Sequence, residues 1–199
     1  MTILMSPLTK RGDFVVSKLR WSSSERSSRA YRDQHLSKSI LVRGGLGTGF
    51  AHSTAEVYMD DINKIQQLIA CFANSFDVKD WDGLEACFTE SLFTDYSDLR
   101  GTPPQTVTAS EYTRQRRESL DHLKLHHLVS NYEVEFTDSN SATCRASMVV
   151  WRKSDEEEFT SHCVYTFQLT KQESDWKISG ITQKVLWNEG TSSIHKGAK

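Results

Sequence analysis

Asp77-Val78-Lys79-Asp80-Trp81-Asp82-Gly83-Leu84 is the hinge between two helical patterns, and its reading sets the organisation of the chain on either side. Upstream, Ile62, Ile65, Leu68, Ile69, Phe72 and Phe76 recur at spacings of three and four, so one helical face is apolar. Ser53 and Glu56 fit a capping box that starts this helix near residue 53. Lys79-Asp80 breaks the pattern. Asp80 is placed to cap a second, short helix carrying Trp81, Leu84 and Phe88. The β-prone run Leu92 to Tyr96 follows, then a Gly101-Thr102-Pro103-Pro104 loop. Thr108 and Glu111 form another capping box and open a helix that runs to about Asp121.

Beyond that helix the apolar period changes from 3.6 to 2. Strands are predicted over 126–136, 141–153, 158–170 and 175–188. Asp138-Ser139-Asn140-Ser141, Lys153-Ser154-Asp155-Glu156 and Lys171-Gln172-Glu173-Ser174 separate them and suit hairpin turns in an antiparallel meander. Ala142, Cys144, Ala146, Met148 and Val150 share one face of the second strand; Cys163, Tyr165, Phe167 and Leu169 share one face of the third. The alternation shifts around Gly180, as at a bulge. Helices first and a curved sheet second predict an α+β layer fold, with the concave sheet face packed on the helices.

The chain has 199 residues and a net charge of −2, but the charge is uneven. Nine Lys and Arg face four Asp and Glu up to Glu56, and fifteen face twenty-two from Val57 onward. Residues 1–52 are basic, Ser/Arg-rich around Trp21 to Arg29, and poor in core formers, which predicts a disordered extension. A transit peptide or a mis-assigned start are the alternatives. Gly44-Gly45-Leu46-Gly47-Thr48-Gly49 lacks the Lys-Ser/Thr of a phosphate loop and the preceding strand of a dinucleotide loop, so it is taken as a linker. Residues 53–190 form the predicted domain, and 191–199 a flexible tail. No apolar run is long enough to span a bilayer. Cys71, Cys87, Cys144 and Cys163 show no paired spacing, so free thiols in the reducing cytoplasm are expected, with no metal. His122 and His126 have i, i+4 spacing, but across a helix-to-strand junction. The acidic domain argues against nucleic acid as a partner.

The order of these motifs resembles the nuclear transport factor 2-like superfamily, in its SnoaL-like and scytalone dehydratase-like branch, over roughly residues 55–190. The residues that carry the resemblance are Phe76 to Leu84, then Asp95-Tyr96-Ser97, then His127-Leu128-Val129-Ser130-Asn131, and finally Trp176 to Gly180 with Trp187. It implies a cone-shaped α+β barrel, with helices packed on a strongly bent, mostly antiparallel sheet around a pocket. It also implies an aspartate-histidine pair, with tyrosines that hold a water on the substrate carbonyl. By position Asp77 is similar to that aspartate, Tyr96 to one tyrosine and His127 to the histidine. Phe76 stands in place of the other tyrosine, Arg152 in place of a second histidine, and Cys163 and Tyr165 in place of a serine and an asparagine. Those departures argue against scytalone as the substrate.

A base near the C–H and a donor for the developing oxygen are what proton removal beside a carbonyl requires. Asp77, Tyr96 and His127 are therefore the predicted catalytic residues. Phe76, Asn131, Met148, Val150, Arg152, Cys163 and Tyr165 are the predicted substrate-binding residues. The expected activity is a cofactor-independent, dehydratase-like lyase or isomerase acting on a small hydrophobic oxygenated metabolite. The alternative is a non-catalytic ligand-binding or oligomerisation domain of the same fold. Val149 and Trp151 on the outer sheet face predict a homodimer or homotrimer.

Overall fold

The computed structural model describes residues 54–195, which fall in the second of the chain's two units, Phe50–Lys199. The extension expected over residues 1–52 and its glycine-rich linker lie outside the described residues. Helix α1 (Thr54–Val78) buries the predicted stripe: Ile65, Ile69, Phe72 and Phe76 are all in the core. Each such side chain contributes about 1.5–3 kcal/mol by leaving water. The helix ends because Lys79 turns left-handed at φ 60°. The Asp80 N–H then donates to the Ser75 carbonyl at 2.9 Å and the Lys79 N–H to the Phe76 carbonyl at 3.3 Å, which is a Schellman ending. Asp80 also starts helix α2 (Trp81–Ala86), accepting from the Gly83 N–H at 2.9 Å. A Cβ at residue 83 would lie 2.2 Å from Asp80 Oδ2, so a side chain there would push the capping carboxylate out of place.

Strand β1 (Phe88–Asp95) leads into the short helix α3 (Ser97–Arg100), strand β2 (Gln105–Thr108) and helix α4 (Ala109–Leu120). Thr108 caps α4 as predicted, accepting from the Glu111 N–H at 3.2 Å. The four long segments predicted as strands are β3 (Lys124–Phe136), β4 (Ser141–Lys153), β5 (Glu158–Gln172) and β6 (Asp175–Gly190). One six-stranded sheet results, in the order β2-β1-β6-β5-β4-β3. Every neighbouring pair is antiparallel except β1 with β6.

The sheet is strongly bent rather than closed, because its edges β2 and β3 do not pair with each other. Register shifts at Ser130/Glu133, His162/Cys163 and Gln168/Leu169 mark bulges that bend it, the last opposite Gly180. The predicted inner-face residues of β4 and β5 are buried in one core cluster with the apolar residues of α1 and α4, Phe167 meeting Phe72 of α1 edge-on at 5.5 Å. Where α1 begins to enter the cone, Asp61 accepts from Lys171 Nζ at 2.8 Å and Trp176 Nε1 at 2.9 Å, tying the helix to β5 and β6. A 3-10 turn, η1 (Ser192–Ile194), follows β6. No helix among the described residues is long and apolar enough to cross a membrane.

Candidate active site

The Schellman corner fixes the last turn of α1, and that turn carries Asp77 inward toward β3. Asp77 Oδ1 lies 2.6 Å from His127 Nδ1, and Asp77 Oδ2 accepts the His127 backbone N–H at 2.9 Å. One carboxylate thus holds both the ring and the backbone of one residue. The pair is shielded, with side-chain exposures of 7% for His127 and 16% for Asp77. The Phe76 ring packs on the imidazole with centroids 5.2 Å apart. Burial pushes the imidazole below its ordinary pKa, while the bond to Asp77 works in the opposite direction. A carboxylate only accepts, so Nδ1 carries the proton and Nε2 keeps its lone pair. Nε2 is the nitrogen left to serve the cavity that His127 helps to line.

Tyr96 sits at the turn from β1 into α3, with its hydroxyl 2.7 Å from that of Tyr112 on α4. Burial raises the Tyr96 phenol to about 12 and pushes Tyr112 well above its usual value, so both stay protonated at neutral pH. Arg152 on β4 donates to Ser161 Oγ at 2.9 Å and to the Val150 carbonyl at 3.4 Å. Gln183 on β6 donates to the Tyr165 hydroxyl at 2.8 Å and to Cys163 Sγ at 3.4 Å. These groups surround a cavity with about 30 Å³ of free space. His195, only 2% exposed, closes one side of it.

Comparison with known proteins places the domain in a family. The profile of the SnoaL-like domain family matches residues 57–182. The chain belongs to the SnoaL-like domain family. A "Scytalone dehydratase-like protein claB" of Passalora fulva is 26% identical over 65% of this chain and 88% of its own. Among solved structures, the Kfla4162 protein of Kribbella flavida superposes with a TM-score of 0.66 at 21% identity, covering 69% of this chain and 97% of the other. A hexachlorocyclohexane dehydrochlorinase, LinA-type3, of Novosphingobium barchaimii LL02 gives a TM-score of 0.59 at 14% identity, over 71% and 97%. The two structures share the cone fold.

Within this SnoaL-like domain, Phe76, Tyr96, His127, Val150, Arg152 and Tyr165 line the cavity, with Asp77 behind His127. Met148 and Cys163 are buried in the core but are not part of the wall. Asn131 is not at the cavity. It is an exposed residue with φ 55° at the β3 bulge, and it donates to Ser147 Oγ at 3.2 Å. The bulge breaks the period-2 count along β3, so a residue four positions from His127 no longer shares its surroundings.

Sequence reasoning missed Arg100, Tyr112, Arg116, Gln183 and His195 in the wall. The tail expected to be flexible over 191–199 is instead docked as far as His195. Thr191 N–H donates to the Glu158 carbonyl at 2.8 Å, and His122 Nε2 lies 3.2 Å from the Ile194 carbonyl. His126 stacks on Trp151 at 5.3 Å, so the two histidines spaced i, i+4 have different neighbours. Among the described residues no cluster of His, Cys, Asp and Glu could hold a metal ion.

Proposed function

We propose that this SnoaL-like protein is a cofactor-independent lyase or isomerase of the dehydratase type. Its substrate is a small, largely hydrophobic molecule with a C–H bond acidified by a neighbouring carbonyl. The observation that carries the reading is the 2.6 Å Asp77–His127 contact, with the imidazole lining a shielded cavity. Such a pair is suited to lifting and returning one proton.

In a dehydration, His127 Nε2 takes the proton from the carbon beside the carbonyl. Asp77 stabilises the imidazolium as it forms. Tyr96, kept protonated, donates to the oxygen on which charge develops, and Tyr112 positions that hydroxyl. The C=C bond forms as the β C–O bond breaks. The departing oxygen takes the proton from His127 and leaves as water, so the dyad ends as it began. An isomerisation uses the same first step and returns the proton to another carbon. The names of the Passalora fulva relative and of the dehydrochlorinase both describe eliminations, which is consistent with this chemistry.

The free space of about 30 Å³ is far below the roughly 300–1,000 Å³ of a ligand pocket. A larger substrate must therefore displace part of the wall, and the short Thr191–His195 segment, held by few hydrogen bonds, is the part expected to move. That small volume is also what favours the second reading, a binding or assembly domain. Leu128, Trp151, Leu186 and Trp187 are large, exposed hydrophobics on the sheet strands, and His162 stacks on Trp187 at 4.2 Å. Under either reading they form the surface of a homodimer or homotrimer, which sedimentation analysis of the wild type and of Trp151→Glu would test.

The deciding experiment is a mass-spectrometric screen of β-hydroxy ketones and related metabolites with wild type and His127→Ala. Turnover by wild type alone supports the enzyme. Tight retention of a metabolite without turnover by either protein supports the binding reading.

A further inference from the structure

Among the described residues, seven buried side-chain nitrogen or oxygen atoms lack a hydrogen-bond partner. Six belong to the cavity wall: Arg100 Nε, Arg116 Nε and Nη1, Arg152 Nε, Gln183 Oε1 and His195 Nδ1. Four of these are guanidinium N–H donors, and guanidinium stays charged. Arg116 and Arg152 are only 5% and 4% exposed. The arginine ion pairs among the described residues are those of Arg114 and Arg145, on the exposed surface. Of the acids near the cavity, Asp77 is taken up by His127, and Asp98 on α3 binds Lys184 and the Val185 N–H.

Aromatic rings provide part of the compensation. Arg100 and Arg116 lie 5.3 and 5.7 Å from the Tyr96 ring centre, Arg116 lies 5.3 Å from that of Tyr112, and Arg152 lies 5.2 Å from that of Phe159. A ring face attracts the charge, yet it leaves the in-plane N–H edge without an acceptor. His195 adds no acid to the site. Burial, with Arg152 and Arg100 nearby, drives its imidazole down to about 3, so it is neutral at physiological pH. Buried charged donors without acceptors are costly, and a fold that keeps several around one cavity is prepared for an acceptor that comes from outside.

We propose that the ligand of this cavity is an organic acid whose carboxylate is held by Arg100, Arg116 and Arg152. The planar fork of a guanidinium matches the two oxygens of a carboxylate, which makes this anion the best fit to N–H edges left free. The proposal rests on the cavity being the substrate site, and it names the substrate class: a carboxylic acid that also carries the carbonyl-acidified C–H. The cavity as it stands has room for a water or two or a very small anion. A larger acid takes the place of the His195 side chain.

The test uses the full chain and two matched pairs of probes, acetate with acetamide and benzoate with benzamide. Binding is read by calorimetry at fixed ionic strength made up with chloride. The acids are expected to bind on the order of tenfold or more tighter than their amides. Arg116→Met and Arg152→Met should each erase that preference, and Arg114→Met should keep it. Removing a buried charge that is only partly compensated should also leave the ligand-free Tm of the two cavity variants unchanged or raised. Equal affinity for acid and amide, no binding of any acid, or equal loss of the preference in Arg114→Met would overturn the proposal. So would a fall in Tm of the Met variants with the acid preference intact. His127→Ala separates the two readings, since it should abolish turnover and retain the acid preference. Turnover of neutral ketones without an acid preference sinks the carboxylate and spares the dyad; an acid preference without any turnover does the reverse.

Discussion

Asp77 accepts two hydrogen bonds from His127, one from the ring and one from the backbone, so its substitution has a specific expected signature. Asp77→Asn keeps the volume but loses the charge that stabilises an imidazolium, and kcat/KM should fall on the order of 10²–10⁴-fold. The pH profile gives the sign. Burial already holds the imidazole below its ordinary value, so the base stays deprotonated down through pH 6.5 and the rate falls only further into acid. Asp77 pulls that value upward, so the acid limb of Asp77→Asn should move to still lower pH. Tyr96→Phe removes the donor itself and should cost about 10²–10³-fold in kcat. Tyr112→Phe removes only the partner of that hydroxyl and should cost clearly less, a contrast that steady-state kinetics on the pair would reveal. That Asp77 meets His127 and that Tyr96 lies in the same cavity wall was legible only through the family resemblance, which matches the three by position. Tyr112 and Arg116 were not, since a helical Tyr is ordinarily core and an Arg beside Arg114 and Arg117 is ordinarily solvated. The signal was available: Tyr112, Arg116 and Leu120 stand four apart, so Arg116 falls on the buried stripe of α4.

At the level of elements, the corner between α1 and α2 sets the height and angle at which the carboxylate meets β3. Trp81 Nε1 donates to Asp121 Oδ1 at 3.2 Å and Lys79 Nζ donates to the Asp121 carbonyl, so the corner is also pinned to the end of α4. Gly83→Ala would force a Cβ onto the Asp80 carboxylate and break the cap, at about 1–2 kcal/mol. Asp80→Ala should cost a similar amount, and the double variant little more than either, because both remove one interaction. Chemical denaturation of the three variants checks this. The corner, the long strands and the Thr108 cap were readable because caps, turns and alternation are local signals. The sequence pattern places the start of β1 too late, since Leu84, Phe88 and Leu92 at spacings of four continue a helical period into a strand that begins at Phe88. Strand β2 and helix α3 are four residues each, too short to establish a period. The parallel pairing of β1 with β6 joins residues some ninety positions apart, such as Phe88 with Ile178, and no local pattern encodes it.

For the whole molecule, the cone is sealed late in the sequence, and that is why its closure escaped a reading of periods. Gly190 at φ 87° lets the chain leave β6 where a side chain would clash with the Glu158 carbonyl, at 2.1 Å from a Cβ. The following turn then brings His195 into the cavity wall shared with Arg100 on α3 and Arg152 on β4, within electrostatic reach of both and of His122. All three neighbours oppose its protonation, after burial itself, and this links the closure of the cavity to pH. His195 and His127 both have folded-state pKa values below the ordinary 6.5, so below pH 6.5 the unfolded chain binds protons that the folded chain refuses. Their stabilising contribution is complete above that pH and is lost as pH falls toward about 3 for His195. His195 has a cheaper route to water than global unfolding, because only the short Thr191–His195 turn must undock. Hydrogen exchange should therefore show the amides of Thr191, Ile194 and His195 losing protection between pH 6.5 and about 4, while those of β4 and β5 stay protected. His195→Gln should remove that pH dependence and leave the turn in place. Equal loss of protection across turn and sheet would mean that the seal and the core open as one unit, and that His195 is part of the fold's stability rather than a separable closure of its cavity.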